Sequence, residues 1–230
     1  MVRGLLEELR ERVQPGICTL DLEKYLEKRI AQLGARPAFK GYRGYPCCLC
    51  ASVNNEVIHG IPTERCLKSG DILSLDTGVV FDGYYGDMAI TVPVGEISES
   101  TQRLLRVTQE ALQLAIDKAR LGNRLGDICA TVQRHVESNG YSVVREFVGH
   151  GIGRELHEEP QIPNFGKPGR GPVLKSGMVL AIEPMVNAGG PAVRVLADNW
   201  TAVTVDGALS AHFEHMVAVT RNGPDVLTLQ

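Results

Sequence analysis

Residues 68–76 read Lys-Ser-Gly-Asp-Ile-Leu-Ser-Leu-Asp, and residues 175–183 read Lys-Ser-Gly-Met-Val-Leu-Ala-Ile-Glu. Each stretch predicts a turn followed by a strand of alternating apolar residues. Each strand ends on an acid, Asp76 in the first copy and Glu183 in the second. The chain therefore contains an internal repeat whose two halves carry carboxylates at matching places.

The repeat extends upstream of these strands. Residues 16–34 and 122–140 share glycines, acids and apolar positions at helical spacing, and each stretch ends on a glycine, which predicts a helix. A further amphipathic helix is predicted before each of them, in residues 1–12 and from about residue 100. Each half therefore begins with two helices.

The remainder of each half is predicted to form strands, with a hairpin at Asp82-Gly83. Helices followed by runs of strands indicate an α+β fold, with helices covering one face of an antiparallel sheet. We expect one domain, residues 1–230, built from pseudo-repeats of about 1–95 and 96–230. Residues 158–172 contain four prolines and are expected to form a loop at the rim of a site. The predicted strands are residues 50–53, 72–80, 87–92, 143–148, 178–183, 200–205 and 215–219.

The composition excludes several classes of protein. The chain has 230 residues, 43% of them hydrophobic and 22% charged, as in ordinary globular proteins. Its formal net charge of −3 and lack of a long basic run give no electrostatic reason to expect nucleic-acid binding. The apolar stretches are far too short to span a membrane, and residues 1–12 lack a secretory apolar region. We therefore expect a cytoplasmic protein.

The chain contains six cysteines, for which we expect reduced thiols rather than a disulfide framework, because no export signal is present. The cluster at residues 47–50 resembles half of a zinc site, but no second pair lies at ligand spacing. We therefore interpret the cysteines of this cluster as small packing residues that follow a turn. The cysteines are Cys18, Cys47, Cys48, Cys50, Cys66 and Cys129.

Four acids mark the candidate site. Asp76 and Asp87 lie on either side of the predicted hairpin, which can bring both side chains to one face of the sheet. Glu183 and Glu214 are their counterparts in the second half, and both lie in apolar surroundings, where a lone carboxylate would be costly. Clustered carboxylates raise each other's pKa unless cations neutralise them. The duplication therefore predicts a metal site, with two metals.

Three histidines are candidates for the same site. His150 lies among the glycines of Gly-His-Gly-Ile-Gly, where close backbone approach is expected, and His157 follows within the same Gly-rich loop. His59 is the weakest of the three. Four carboxylates and one histidine form an oxygen-rich donor set that suits Mn(II), Fe(II) or Co(II) better than zinc. Two such metals would hold and acidify a water for hydrolysis, while the remaining histidines polarise a carbonyl or assist a leaving amine.

The motifs together resemble type I methionine aminopeptidase, a family with the pita-bread fold. The resemblance runs from about Val13 to the C-terminus and rests on five motifs of this chain. They are HGIP at His59, the pair Asp76 and Asp87, GHGIG with HEEP around His150 and His157, IEPM at Glu183 and SAHFEH around Glu214. The resemblance implies a duplicated, pseudo-two-fold fold in which a curved antiparallel sheet carries helices on its outer face.

The resemblance also implies residue roles. Asp76 would chelate one of two divalent metals (Co²⁺, Mn²⁺ or Fe²⁺), and Asp87 and Glu214 would bridge both. His150 and Glu183 would complete the shell of the other metal. A water bridging the metals would attack the scissile carbonyl, with Glu183 handling its proton.

Residues beyond the metal ligands are implied by the resemblance as well. His157 would bind the carbonyl or oxyanion, and His59 would contact the scissile amide nitrogen or the substrate backbone. A methionine pocket would be lined by Tyr42, Tyr45, Cys50 and Trp200. An aromatic and sulfur lining suits a thioether, although core packing would also explain these four residues.

The chain departs from the family pattern at its N-terminus and at three pocket positions. Phe39, Arg43 and Leu156 occupy pocket positions where other residue types are expected, which would reshape the pocket without altering the metal ligands. Residues 1–12 cover only part of the helical segment that the family usually has there. The chain also lacks a zinc-binding extension and a large insertion in its second half, which favours type I over type II.

The implied substrates are nascent polypeptide N-termini with a small second residue, from which the initiator methionine is removed. The enzyme would act as a monomer, and transient ribosome association is compatible with such a substrate. Two alternatives remain open: a proline-directed peptidase on the same fold, and a non-catalytic binding protein. The pocket residues favour methionine over proline, and a non-catalytic protein would have no physical need for the full set of ligands.

Overall fold

Four helices and fifteen strands are formed by residues 1–229, the part of the chain that this computed structural model describes. The helices are α1 (Val2–Arg10), α2 (Thr19–Gln32), α3 (Glu99–Ile116) and α4 (Leu125–Ser138). The strands of the first half are β1 (Arg36–Pro37), β2 (Leu49–Val53), β3 (Glu56–Ile58), β4 (Ile72–Phe81) and β5 (Tyr84–Pro93). Those of the second are β6 (Ser142–Val143), β7 (Val148–Gly151), β8 (Glu158–Pro163), β9 (Val179–Ile182), β10 (Met185–Asn187), β11 (Val193–Val195), β12 (Ala202–Thr204), β13 (Ser210–His212), β14 (His215–Thr220) and β15 (Gly223–Val226).

The four predicted helices are confirmed. Helix α1 buries Val2, Leu5, Leu6 and Leu9, the apolar face that the sequence places at helical spacing. Residues Gly34 and Gly140 lie just beyond α2 and α4 with φ of 67° and 82°, a conformation that glycine adopts without strain. None of the helices within residues 1–229 is long and apolar enough to cross a lipid bilayer.

All strand pairs described are antiparallel, and hydrogen bonding divides the strands into four sheets. The largest has the order β15-β14-β9-β7-β8, and the sheet of the first half joins β1, β4, β2 and β5. One buried apolar cluster packs α1 and α2 against the first-half strands, and another packs α3 and α4 against the second-half strands. The α+β class is therefore confirmed.

The two halves repeat their backbone contacts as well as their sequence. The N–H of Gly70 donates to the carbonyl of Val94, and the N–H of Gly177 donates to the carbonyl of Val219. The φ values of the two glycines are 97° and 93°. The Lys-Ser-Gly turns therefore start β4 and β9 in the same way. The expected strand end at Asp76 was wrong, because β4 continues to Phe81, whereas Glu183 directly follows the last residue of β9.

The hairpin prediction is confirmed, whereas one strand prediction and one loop prediction were wrong. Asp82 and Gly83 both have positive φ, as a tight turn between β4 and β5 requires. Residues 143–148 form the ends of two separate strands, β6 and β7, rather than one strand. The expected loop at 158–172 begins with β8, whose prolines are tolerated because β8 is at the edge of its sheet.

The prediction of six reduced cysteines was wrong for two of them. Cys18 and Cys66 form a disulfide, because an isolated antiparallel bridge places the two residues side by side. Their separation of 48 residues carried no signal of this pairing in the sequence. The thiols of Cys47, Cys48 and Cys50 are free, and the last two are buried, as packing residues would be.

The hydroxyl of Thr91 on β5 joins the two halves. Thr91 Oγ1 donates to the carbonyl oxygen of His212 at 2.7 Å and accepts from its N–H at 2.9 Å. Ser74 Oγ lies 2.8 Å from the same hydroxyl. One buried side chain thus satisfies both backbone groups of a residue 121 positions away.

Replacing Thr91 with valine keeps the shape and removes both bonds to the second half. We expect the free energy of unfolding to fall by about 2–5 kcal/mol, because a buried donor and a buried acceptor lose their partner. Urea unfolding measures this. Thr108→Val is the matched control, because the buried Thr108 hydroxyl only supplements a helical bond to Leu104 and should cost below about 1 kcal/mol. Equal losses in both variants would contradict the role given to Thr91.

Candidate metal centre

Three adjacent strand segments bring acids from both halves together. Asp76 faces Ala89 in the pairing of β4 with β5, and Ala89 in turn forms an isolated bridge with Glu214. The N–H of Glu214 donates to the carbonyl of Ala89 at 2.9 Å. Residues directly opposite one another share a face of the sheet, as do residues two apart, so Asp87 joins the same face. The alanine leaves room for the carboxylates around it.

A second group of candidate ligands consists of His150 on β7 and Glu183 directly after β9. His150 faces Ala181 in their pairing, and Glu183 follows two residues later. A Cβ at Gly149 would lie 2.4 Å from the carbonyl oxygen of Ala181, and one at Gly151 would lie 2.3 Å from a β8 carbonyl oxygen. The flanking glycines therefore permit strands to pack closely on both sides. The expected Gly-rich loop around His150 was wrong, since this histidine lies within a strand.

The two groups meet at short range. Candidate ligand atoms of Asp87, His150 and Glu214 lie within 4.8 Å of one another. His150 Nδ1 lies 2.9 Å from the carbonyl oxygen of Gly151, which can only accept a hydrogen bond, so Nδ1 carries the proton. Nε2 therefore directs a lone pair into the site, 3.6 Å from Glu183 Oε1. His150 Nε2 and Glu183 Oε1 are both acceptors, so they attract one another only if a proton or a cation lies between them.

Burial raises the pKa of all four carboxyl groups. The pKa of Asp87 rises from 3.8 to about 7 because the group is removed from water. For Asp76, Glu183 and Glu214, burial and then the neighbouring carboxylates raise the pKa well above its usual range. Burial lowers the pKa of His150, which leaves its nitrogen neutral and free to bind. Both effects favour a site in which cations replace protons.

The unpaired atoms of the acids point to the same conclusion. Asp76 Oδ1, Asp87 Oδ1 and Glu214 Oε1 are buried and have no hydrogen-bond partner within residues 1–229. Buried polar atoms almost always have a partner, and an unpartnered buried charge is costly. Carboxylate oxygens with one imidazole nitrogen suit Mn(II), Fe(II) or Co(II). The residues present therefore fit a divalent cation.

The acids line a cavity of about 180 Å³ that also contains every other residue for which the sequence predicted a role. Phe39, Arg43 and Leu156, the pocket positions that depart from the family pattern, line it as well. The fourteen lining residues are Phe39, Tyr42, Arg43, Tyr45, Cys50, His59, Asp76, Asp87, His150, Leu156, His157, Glu183, Trp200 and Glu214.

One wall of the cavity is aromatic and apolar. The Tyr45 and Trp200 rings meet edge to face with their centroids 5.0 Å apart, and Tyr45 Oη donates to the carbonyl oxygen of Leu49 at 3.0 Å. Cys50 faces Asp76 across β2 and β4, and burial raises the pKa of its thiol well above the usual range. Tyr45 and Cys50 are thus both packed into the core and exposed to the cavity.

Two histidines that line the cavity lie next to strand ends, His59 after β3 and His157 before β8. His157 Nδ1 lies 2.8 Å from Tyr42 Oη, and the His157 ring lies 4.3 Å from that of His150. Partial burial, with His150 nearby, lowers the pKa of His157 to about 4. His59 has a φ of 59° and packs edge to face on Trp200, and burial lowers its pKa to about 4. Both rings are therefore neutral at pH 7.

His212 is a buried polar residue beside the acids that the sequence analysis did not select. Its Nε2 lies 3.5 Å from Glu183 Oε2, and burial lowers its pKa to about 3. The signal was present in Ser-Ala-His-Phe-Glu-His, because His212 and Glu214 are two apart and alternation places them on one face.

Known proteins resemble this chain in sequence and in fold. Metallopeptidase family M24 matches residues 1–221. A methionine aminopeptidase from Clostridium perfringens is 55% identical over 224 residues, 97% of this chain and 90% of the relative. The crystal structure of methionine aminopeptidase from Thermotoga maritima superposes with a TM-score of 0.97 at 51% identity, covering 99% of this chain and 92% of that one.

A more distant likeness shows the fold alone. A prolidase from Pyrococcus furiosus superposes with a TM-score of 0.80 at 22% identity, and the match covers 99% of this chain but 60% of the prolidase. The predicted pita-bread fold is thus confirmed, in a form shared with these enzymes. The chain belongs to metallopeptidase family M24 and, within that family, to the methionine aminopeptidases.

Proposed function

We propose that this protein is a methionyl aminopeptidase that removes the initiator methionine from polypeptides with a small second residue. The observation that carries the proposal is the set of unpartnered buried carboxylate oxygens beside the free Nε2 of His150, in a cavity with an aromatic wall. The close relatives named methionine aminopeptidase support it.

The metal cofactor is proposed to be two divalent ions, Mn²⁺, Fe²⁺ or Co²⁺. Asp76 would hold one ion, His150 and Glu183 would hold the other, and Asp87 and Glu214 would be ligands of both. When bound, the ions would supply Lewis acidity and would lower the pKa of a water molecule that attacks the carbonyl. Positive charge at this position would also remove the repulsion that raises the pKa of the carboxyl groups.

The remaining residues of the cavity would handle protons and charge. Glu183 is the carboxylate with one oxygen toward His150 and a raised pKa, which suits it to take and return a proton. If Tyr42 Oη donates to His157 Nδ1, the imidazole proton lies on Nε2, where it can donate to the carbonyl oxygen of a substrate. His59 would contact the scissile amide nitrogen or the substrate backbone.

The methionine side chain is proposed to lie against Tyr42, Tyr45, Cys50 and Trp200. An unbranched thioether makes favourable contacts with ring edges, which Tyr45 and Trp200 provide with their ring planes at 75° to each other. Phe39 and Leu156 add apolar surface to this part of the cavity. An apolar wall of this kind favours methionine over a charged side chain.

The setting of the activity follows from the proposed substrate. The enzyme would act in the cytoplasm, as a monomer, on the N-termini of nascent polypeptides, with transient association with the ribosome. One domain, residues 1–230, would carry the whole activity.

The proposed function is tested by release of free methionine from Met-Ala-Ser and Met-Lys-Ser peptides. Chelator-stripped protein should be inactive, and anaerobic addition of Mn(II), Fe(II) or Co(II) should restore cleavage of the alanine peptide only. Chromatographic quantification of methionine gives the rate. Failure to cleave either peptide with two metals bound would contradict the proposal, as would equal cleavage of an Xaa-Pro peptide.

The cost of burying Asp87 can be measured by Asp87→Asn in metal-free protein. A carboxyl whose pKa rises to about 7 on folding stabilises the fold at low pH, and that contribution is lost as pH rises through about 7. Parent stability should therefore fall, relative to the variant, by about 2–3 kcal/mol between about pH 5 and about pH 8. Urea unfolding gives both values.

At about pH 8, added Mn(II) should make the parent more stable than the Asp87→Asn variant, because a cation that binds the folded parent stabilises it by mass action. A difference between parent and variant that does not change with pH or with Mn(II) would contradict the assignment of Asp87.

The role of His157 predicts a separation of activity from metal binding. His157→Ala should lower kcat by about 10²–10³-fold, the usual cost of losing a donor to a developing oxyanion, and leave metal content near that of the parent. Metal analysis and steady-state kinetics test this. His135→Ala, on the outer helix α4, is the control. Full turnover by the His157 variant would show the role to be wrong.

A further inference from the structure

The imidazole of His212 lies in the protein interior with neither ring nitrogen paired. The residue is 1% exposed, and its Nδ1 and Nε2 have no hydrogen-bond partner within residues 1–229. Its backbone, by contrast, is fixed on both sides by Thr91 Oγ1. A buried polar ring held in one place without partners is rare, because it forfeits its hydrogen bonds to water. We therefore expect a hydrogen-bond partner for this ring among the neighbouring groups of the site.

The nearest candidate is the free oxygen of Glu183. Glu183 Oε1 lies 3.6 Å from His150 Nε2, and Glu183 Oε2 lies 3.5 Å from His212 Nε2. The two histidines thus lie against different oxygens of one carboxylate. His150 Nδ1 donates its proton to Gly151, so its Nε2 has no proton to offer to the acid. His212 has no such bond and can carry its proton on Nε2, toward Glu183.

We propose that His212 is a positioning residue for Glu183: its Nε2–H donates to Oε2 and leaves Oε1 directed at the metal centre beside His150. A separation of 3.5 Å is longer than a good hydrogen bond, and such contacts commonly shorten when the site is filled. A donor behind a liganding carboxylate fixes the orientation of that ligand and prevents it from turning away.

The expected effect of His212 on turnover rests on the proposed function. Its expected effect on metal affinity does not depend on which peptide is the substrate. Glu183 follows the end of β9, and its side chain is held by no hydrogen bond to a side chain or backbone group of residues 1–229. Its orientation therefore depends on the two histidines. Loss of the His212 donor should weaken metal binding even if the peptide substrate has been misidentified.

Two substitutions separate positioning from packing. His212→Leu fills a similar volume without a donor, and His212→Gln keeps an N–H donor at a similar distance from the backbone. His135→Gln on the outer face of the protein makes the same chemical change as His212→Gln away from the site. Mn(II) affinity would be measured by calorimetry on chelator-stripped protein, and kcat and KM on Met-Ala-Ser. Thermal unfolding of each metal-free variant establishes that it is folded.

We expect His212→Leu to lose about 10–100-fold in Mn(II) affinity or in kcat with KM little changed, and His212→Gln to recover most of that loss. His135→Gln should match the parent. Parent-like affinity and kcat in a folded His212→Leu protein would overturn the inference, as would equal defects in the leucine and glutamine variants. A parent that binds Mn(II) but releases no methionine would contradict the proposed function, while weaker binding by the leucine variant, recovered by glutamine, would still support His212.

Discussion

The burial of four carboxyl groups in one cavity is the constraint on which the rest of the structure depends. Burial opposes ionisation of all four acids, and the neighbouring carboxylates oppose it further at Asp76, Glu183 and Glu214. Taking one carboxylate out of water without a partner costs several kcal/mol. A fold that gathers four of them is stable near neutral pH only with protons or cations among them. The unpartnered oxygens and the free nitrogen of His150 favour cations.

The duplicated architecture provides the means of gathering them. Each Lys-Ser-Gly turn starts a strand whose stretch ends on an acid, and the backbone contacts of the two turns are the same. The halves are then joined at the acids themselves, by the bridge between Ala89 and Glu214 and by the hydroxyl of Thr91. The contacts that hold the halves together are thus the ones that place the candidate ligands, so stability and metal binding are linked.

Much of the fold and of the candidate site was predictable because the repeat is visible in the sequence. The helices, the hairpin at Asp82-Gly83 and the face shared by Asp76 and Asp87 all follow from local periodicity and turn chemistry. The features that were missed depend on contacts between distant segments. The disulfide of Cys18 with Cys66 and the edge position of β8 have no local signature. For His212 the sequence showed only its place two residues before Glu214, and its contact with Glu183 appears only in the folded chain.

The central claim is that divalent cations neutralise these acids, and anomalous diffraction from crystals grown with Mn(II) tests it most directly. We predict two anomalous peaks about 3.5–4 Å apart in the cavity, both in contact with the carboxylates of Asp87 and Glu214. His150 Nε2 should contact one of the two. Strong peaks elsewhere in the crystal, with none between Asp87 and Glu214, would contradict the account.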